Sequence, residues 1–371
     1  MKITKLKLNN FRNYNHENFD FCDNLNIILG DNGSGKTTLL EAIHYLSLTK
    51  SFRTHNNSDV VQYGNDYFQI FGTFNDSEIK ELIVNLNYSK TEGKKLFYNQ
   101  VELKKKTDII GKIPVIILSP NNQKITEGGP SLRRNFIDRI LSQINREYLL
   151  LLIEFKKRLY QRNLLLSGFK EKNRKAYDSY IETIDDFLIE HAFQIQKMRT
   201  GFIEEFNPVF ESIFNSLSHI KKPVQIKIIP NISDGGENFI NEYKEKLVSK
   251  FERDIIYGRT GSGPHLDQVM FIFEKRDIRF TGSQGEHKIF LVALKLAEGI
   301  FIEKNINEKV IFLLDDLFAL LDKKHCMNII DKIGFANQTF ITATDMTVLK
   351  RADFDLSKYE HKVSHLPIGL S

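Results

Sequence analysis

The sequence predicts an α/β fold, a mixed sheet interrupted by an inserted and mostly helical lobe. Three observations carry that expectation. Apolar residues alternate at a period of two, or run continuously in short stretches, through much of the first third of the chain. From Pro130 the period lengthens to about three and a half. After Pro223 short apolar runs return, now separated by helical stretches. The changes divide the chain into 1–125 and 223–371, two halves of one head, and 126–222, a lobe resembling a short coiled coil.

Taken in order, residues 3–8 and 19–21 alternate and read as short strands. LNIILG at 25 to 30, a short run apolar but for Asn26, has the pattern of a buried strand leading into the glycine loop, and a helix follows over 37–47. FQIFGTF (68 to 74), LIVNLNY (82 to 88) and KLFYNQVEL (95 to 103) read as strands, and PVIIL (114 to 118) as a buried one. Phe136, Ile140, Ile144, Tyr148, Leu152, Phe155 and Leu159 fall on one helical stripe. A second helix carries Tyr177, Ile181, Ile184, Leu188, His191, Ile195, Met198 and Phe202 at alternating spacings of four and three. That seam makes His191 a packing residue rather than a ligand. The helix is expected to end near Gly201 and the Asn207–Pro208 pair, because proline lacks a backbone donor. VQIKII, VMFIF and IRF then resume the strands. A long helix covers about 284–303, and VIFLL (310 to 314) and TFITAT (339 to 344) are strands with a helix between them.

Composition narrows the class. The chain has 371 residues, 41% of them hydrophobic and 27% charged, which is ordinary for a globular protein and excludes a disordered chain. Cys22 and Cys326 are too few and too far apart for a disulfide framework or a zinc ribbon. No apolar run has the length to cross a bilayer, and the N-terminus lacks the apolar core of a signal peptide, so a soluble cytoplasmic protein is expected. The net charge of +5 is modest, but residues 131 to 175 hold twelve Lys and Arg against four Asp and Glu. Such a block is either a solvated helix face or a surface for a polyanion.

The chemistry is carried by three stretches. Gly30, Asp31, Asn32, Gly33, Ser34, Gly35, Lys36 and Thr37 match G-x-x-x-x-G-K-[ST] between an expected strand and an expected helix. There the glycines let backbone N–H groups turn toward phosphate oxygens, and the helix N-terminus adds its dipole. Lys36 should reach the β and γ phosphates of a bound nucleotide, and the Thr37 hydroxyl should ligate Mg²⁺. In VIFLLDDLFALLD, 310 to 322, Asp315 ends an apolar strand where a carboxylate can hold Mg²⁺ through water, and Asp316 is placed to orient or deprotonate the attacking water. Asp316 is shorter than the Glu that often fills such a position, so slow hydrolysis is expected. In FTGSQGEHKIFLVALKLAEG, 280 to 299, Ser283 and Gly285 open the long helix and offer a second phosphate-binding N-terminus. Alone, the tetrapeptide could be only a helix cap. Standing about thirty residues before the LLDD strand, it resembles the signature motif of ABC ATPases, where it closes over a nucleotide held by a second copy.

Further stretches make the resemblance specific. LKLNNFRNY at 6 to 14, KSFRTH at 50 to 55, GGPSLRRNFID at 128 to 138, YQRNLLL at 160 to 166 and TGSGPHLD at 260 to 267 join the three above. With them the chain resembles the RecF family, bacterial recombination and repair ATPases related to the SMC proteins, over nearly its whole length. The resemblance implies an ABC-type P-loop ATPase head with a mixed sheet and a short helical lobe in place of the long SMC coiled coil. It implies ATP and Mg²⁺ as cofactors and an ATP-dependent homodimer, with Lys36 and Asp315 of one copy facing Ser283 and Gly285 of the other. It also implies DNA binding, double-stranded or gapped, work with RecR and RecO to load recombinase at gaps, and a part in replication and SOS induction. Hydrolysis would be a slow timer. Arg53 stands where SMC proteins carry the arginine that senses ATP engagement, and Asp322 resembles the aspartate that touches the opposite copy. The basic block then has a partner. Arg133, Arg134, Arg139, Lys156, Lys157, Arg158 and Arg162 are the candidates for contacts with the DNA backbone.

The chain departs from the family in places. Leu317-Phe318-Ala319-Leu320-Leu321-Asp322 replaces a usual V-x-S-E-L-D, and Ser119-Pro120-Asn121-Asn122-Gln123 replaces S-P-E-D-L. The second change leaves Asn122 or Gln123 as the sensor of the γ-phosphate, and His265 could contact DNA or order its own turn. Three rival readings are a transport energiser, a metabolic P-loop kinase, and a structural head without useful ATPase activity. The GGP-x-x-RR stretch and the absence of a switch histidine at Thr344-Asp345 oppose the first, and the second leaves residues 280 to 299 unexplained.

Overall fold

The computed structural model describes residues 1–75, 81–169, 174–218, 221–233, 236, 238–316, 333, 337–347, 356–358 and 360–366. In chain order the strands and helices begin with β1 (Lys2–Phe11), β2 (Tyr14–Asp20), β3 (Leu25–Leu29) and α1 (Lys36–Leu48). Next come β4 (Tyr67–Asn75), β5 (Leu82–Ser89), β6 (Gly93–Tyr98), β7 (Val101–Glu102) and β8 (Val115–Leu118). The helical stretch contains α2 (Lys124–Glu127), α3 (Pro130–Ile144), α4 (Arg146–Ser167) and α5 (Arg174–Leu217). It is followed by β9 (Val224–Ile229), α6 (Phe239–Ser249), α7 (Phe251–Tyr257), β10 (Gln268–Phe273), β11 (Arg276–Asp277) and α8 (Ile278–Thr281). The last elements are α9 (Gln284–Ile306), β12 (Ile311–Leu314), β13 (Thr339–Ala343) and β14 (His361–His365).

These elements form two compact units. One, the head, comprises residues 1–123, 213–219 and 284–371; the other, the lobe, comprises 124–212 and 220–283.

Among the described residues the head contains two sheets. β2-β1-β4-β5-β6-β7 is antiparallel, and β14-β3-β13-β12-β8 is parallel throughout. The two sheets show why the sequence has two kinds of strand. β1 alternates buried and exposed residues over most of its length, whereas β3, β8, β12 and β13 are buried at every position, as a parallel sheet covered on both faces requires. Phe11, Tyr45 and Phe68 meet edge to face at 5.4–6.3 Å and link β1, α1 and β4 in the core. α9 can lie close to β12 because it has a glycine at the crossing: a Cβ on Gly299 would come 2.5 Å from the Phe312 ring. KLFYNQVEL, expected as one strand, is a hairpin. Asn99 and Gln100 both have positive φ, 47° and 65°, and form the two-residue turn between β6 and β7.

The lobe corrects four expectations. The single stripe from Phe136 to Leu159 belongs to two helices, because Asn145 leaves helical geometry (φ −135°) and caps α4, its Oδ1 accepting from the Tyr148 N–H at 2.9 Å. The second helix does not stop at Gly201 or Pro208. Phe202, Phe206 and Phe210 continue the buried seam past both, and burying each ring stabilises by about 1.5–3 kcal/mol, which offsets the roughly 3 kcal/mol cost of an internal proline. Residues 278–280 are helical, since the Asp277 carboxylate accepts from the Arg279 N–H at 3.0 Å and starts α8. Finally, the boundary expected at 222/223 falls at 283/284. The β11-β10-β9 sheet packs on α3 through Phe136 against Phe271 (6.2 Å) and the buried Arg133–Asp277 ion pair (2.8 Å).

Candidate functional site

The head contains a cleft of about 510 Å³, lined by the loop after β3, the β1–β2 turn, the end of β12 and the end of β13. The loop owes its shape to glycine at two positions. Gly33 and Gly35 have φ of 88° and 101°, left-handed values that a side chain disfavours. At Gly35 there is also no room, since a Cβ would sit 2.6 Å from the Tyr14 hydroxyl, which donates to the Gly35 carbonyl at 3.2 Å. Lys36 Nζ donates to the carbonyls of Gly30 (2.5 Å) and Asp31 (2.8 Å) and holds the loop in a ring. Asp31, Asn32 and Gly33 are exposed at its tip, while Ser34 is buried beneath them. Ser34 Oγ and Asn13 Oδ1 are both buried without a hydrogen-bond partner among the described residues, so polar capacity here is unmet within the chain.

The acidic strand ends beside this loop. β12 lies one strand from β3, with β13 between them, and Thr342 on β13 ties the pair of aspartates in place. Its hydroxyl donates to Asp315 Oδ1 at 2.9 Å and accepts from the Asp316 N–H at 2.8 Å. Thr37 Oγ1 stands 3.0 Å from both Asp315 carboxylate oxygens. Burial pushes the Asp315 carboxyl up from its ordinary value, with the nearby Asp316 charge adding to it, against hydrogen bonds from Thr342 and Thr37 and the charge of Arg53. Asp316 is exposed and has a φ of 50°. Threonine hydroxyl and aspartate carboxylate are hard oxygen donors of the kind that share Mg²⁺ with phosphate and water. The donor set therefore fits that ion.

Sequence reasoning singled out Arg53 but missed Arg12 and Glu41, which with it build the positive wall of the cleft. Glu41 on α1 is fully buried, and both its oxygens are occupied by arginine. Arg12 makes a bidentate pair with it (Nη2 to Oε1 2.7 Å, Nε to Oε2 3.1 Å), and Arg53 Nη1 approaches Oε2 at 3.4 Å. Arg12 also donates to the Asp59 carbonyl at 2.8 Å. Both guanidiniums line the cleft beside Lys36 and Thr37. Glu41 is thus a positioning residue for two cations. Glu41→Gln is expected to weaken nucleotide affinity about tenfold, and a double-mutant cycle with Arg12→Ala is expected to show a coupling of at least about 0.5 kcal/mol. Additive effects in that cycle would mean that Glu41 does not act through Arg12.

The other expected site residues fall in several places. Ser283 and Gly285 are exposed at the start of α9, and a Cβ on Gly285 would meet nothing within 4 Å. Asp322 and the stretch 317–321 lie outside the described residues. Asn122 Oδ1 accepts from the Ser119 N–H at 2.9 Å and closes its own turn. His265 is largely buried, with Nε2 3.2 Å from the Thr260 carbonyl. Burial, and then the charges of Arg134, Arg199 and Arg162, push its pKa down to about 4 against that hydrogen bond.

Two of the seven basic candidates are corrected outright. Arg133 and Arg162 are 1% and 0% exposed. Arg133 is held by Asp277 and the Thr126 carbonyl (2.7 Å), Arg162 by Asp185 (2.6 Å) and Asp254 (2.9 Å). A guanidinium buried in such a pair cannot leave it for a phosphate without stranding the carboxylate. Arg134 is half-buried and donates to the Asp267 carbonyl at 2.6 Å, and Arg158 lies over the Phe187 ring. Arg139 is half-buried, and the Lys156 and Lys157 side chains are each 57% exposed.

A phosphate loop, an acidic strand one β-strand away and an antiparallel sheet beside the parallel one define a P-loop nucleotide-binding head of the ABC type. The chain matches the RecF/RecN/SMC N terminal domain family over residues 2–364. It is 34% identical over 349 residues to the DNA replication and repair protein RecF of Chlorobium limicola, covering 93% of this chain and 96% of that one. To the protein of that name from Bacillus mycoides it is 32% identical over 365 residues, covering 97% and 96%. A solved structure of the recombination mediator protein RecF with ATP in the RecFOR pathway superposes with a TM-score of 0.87 at 29% identity, over 93% of this chain and 92% of that one. The Smc head bound to the C-winged helix domain of ScpA, at 17% identity and a TM-score of 0.55 over 95% and 92%, shares the fold. The chain belongs to the RecF family.

Proposed function

We propose that this chain is an ATPase that binds ATP and Mg²⁺ in the head cleft, dimerises on ATP and binds DNA in recombinational gap repair, replication restart and SOS induction. The observation that carries the reading is the Thr37–Asp315 contact at 3.0 Å, which brings the phosphate loop and the acidic strand to one point in a RecF-family chain. A relative solved with ATP supports the choice of nucleotide. Lys36 exchanges its two loop carbonyls for β and γ oxygens, and Arg12 and Arg53 add positive charge along the same wall. Thr37 and Asp315 hold Mg²⁺, which neutralises charge on the phosphates. Asp316 orients the attacking water, and its short side chain makes turnover slow. Ser283 and Gly285 of a second copy close over the γ-phosphate, so hydrolysis times the life of the dimer. RecR, with RecO, is the protein partner this reading implies.

Lys156 and Lys157 are the leading candidates for duplex phosphate contacts, with Arg134, Arg139 and Arg158 behind them. The test is fluorescence anisotropy on a labelled duplex, with ATP, across a series of salt concentrations. Steeply salt-dependent binding is expected, and Lys156→Ala with Lys157→Ala should flatten the slope of log K against log salt by about 1–2. A parent chain whose binding ignores salt would sink the DNA reading.

A further inference from the structure

Two stretches that carry the family resemblance, YQRNLLL and TGSGPHLD, have no part in the nucleotide cleft and together help to build a second pocket. Arg162 and Asn163, from YQRNLLL, reach the TGSGPHLD turn. Arg162 Nη1 donates to Thr260 Oγ1 (3.1 Å) and to Asp254 (2.9 Å), and Asn163 Oδ1 accepts from the Thr260 N–H (2.8 Å) and hydroxyl (2.7 Å). Asp254 also accepts from the Gly261 N–H at 3.0 Å, and Lys250 Nζ donates to the Gly261 carbonyl at 3.0 Å. The result is a rigid floor under an opening of about 600 Å³, the size of a small-ligand site. Its rim is cationic and aromatic. Arg253 and Arg259 are exposed, and neither lies within ion-pair distance of a carboxylate among the described residues. Their guanidiniums both lie over the Tyr257 ring, each 5.6 Å from its centre, and Tyr257 is 58% exposed.

We infer that this pocket, between α4, α7 and the 258–266 turn of the lobe, binds a single nucleic-acid strand. Arg253 and Arg259 swing from the ring to a phosphodiester, with Lys250 beside them, and the Tyr257 face this frees takes an unstacked base. Two exposed cations without a carboxylate partner among the described residues, held at one exposed aromatic ring over a floor fixed by buried charges, suit a single strand. A duplex can use the cations but not the ring, because its bases are not free to stack on protein. The inference rests on the DNA reading above and deepens it, placing single-strand contacts on residues other than the duplex candidates Lys156 and Lys157. It also gives Arg162 a role: the side chain fixes the turn instead of touching the ligand.

The test measures anisotropy of a labelled 20-nucleotide oligonucleotide, single- or double-stranded, with the full chain and two exposed-surface variants. Arg253→Gln with Arg259→Gln is expected to weaken single-strand binding about tenfold and to flatten its salt slope by roughly 1 to 1.5. Tyr257→Ser is expected to weaken single-strand binding fivefold or more with the salt slope unchanged. Both should leave the melting temperature, ATP binding and duplex binding as in the parent. If the parent binds the single strand and both variants match it, the pocket assignment is wrong while the DNA reading stands. A parent that binds neither oligonucleotide overturns both. Displacement of the strand by an acidic peptide or by inorganic phosphate at equal charge concentration would overturn the choice of a nucleic acid as ligand.

Discussion

Asp316→Asn is expected to hydrolyse ATP 10²- to 10⁴-fold more slowly than the parent while still binding it, the loss that removing a general base produces. The exchange removes a proton acceptor and little else. Asparagine has the same shape, tolerates the φ of 50° at this position as well as aspartate does, and leaves the backbone N–H free to donate to Thr342 at 2.8 Å. It also removes a negative charge from beside Asp315, which should lower that carboxyl and favour its ionised, Mg²⁺-holding form. The variant should therefore be trapped in the ATP-loaded state, and sedimentation with and without duplex DNA reads out that state. A dimer that appears only with ATP and carries DNA with it establishes the proposed ATP-dependent dimer as the DNA-binding form. A dimer that ignores DNA keeps the ABC engine and assigns it another client. A monomer that binds ATP and never pairs removes Ser283 and Gly285 from the mechanism. A rate within tenfold of the parent would remove Asp316 from its role.

The parts of the site legible in the sequence are those contiguous along the chain. The phosphate loop needs eight consecutive residues and the acidic strand six, and each carries its own local reason for its shape. What joins them was not legible. Glu41 lies 29 residues from Arg12 and reads as one more polar residue on an amphipathic helix, although it is the fully buried anchor of two cleft arginines. Thr342 reads as part of a buried strand. The basic block failed in the opposite way. Charge counting locates a run of arginines but cannot say which face of the helix they occupy. Arg133 finds its carboxylate 144 residues away and Arg162 one of its carboxylates 92 residues away, separations that no local period reveals. The lobe boundary was misplaced for the same reason, since β9 to β11 look like a return to the head until the Arg133–Asp277 pair and the Phe136–Phe271 contact fix them to α3.

Arg199→Ala should destabilise the lobe by about 3–5 kcal/mol, the cost of breaking a buried ion pair from one side. Arg199 is 3% exposed and joins elements that are distant in sequence. Its guanidinium donates to Asp138 (2.8 Å), Asp267 (2.8 Å), the Pro264 carbonyl (2.8 Å) and the Tyr148 hydroxyl (3.2 Å), and Tyr148 in turn donates to Asp138 at 2.6 Å. Truncation takes this counterion from two buried carboxylates, Asp138 of α3 and Asp267 of the 258–267 turn, and leaves Asp138 only Lys156 Nζ, at 4.0 Å, as an ion-pair partner among the described residues. Burial already raises the Asp267 carboxyl, and the Arg199 charge is what pulls it back, so in the variant it must rise further. The sign of the pH dependence follows. A carboxyl whose folded pKa lies above its unfolded value stabilises the protonated fold at low pH and loses that contribution as pH rises through the folded value. The gap between variant and parent should therefore narrow as pH is lowered from 7 toward 5, and urea midpoints at both pH values, with m unchanged, would record it. Adding Asp138→Asn to the variant should cost less than it does in the parent, because the stranded charge it removes is the source of the penalty. A loss below about 1 kcal/mol, or a gap that does not change with pH, would mean that packing rather than this charge network holds the lobe together.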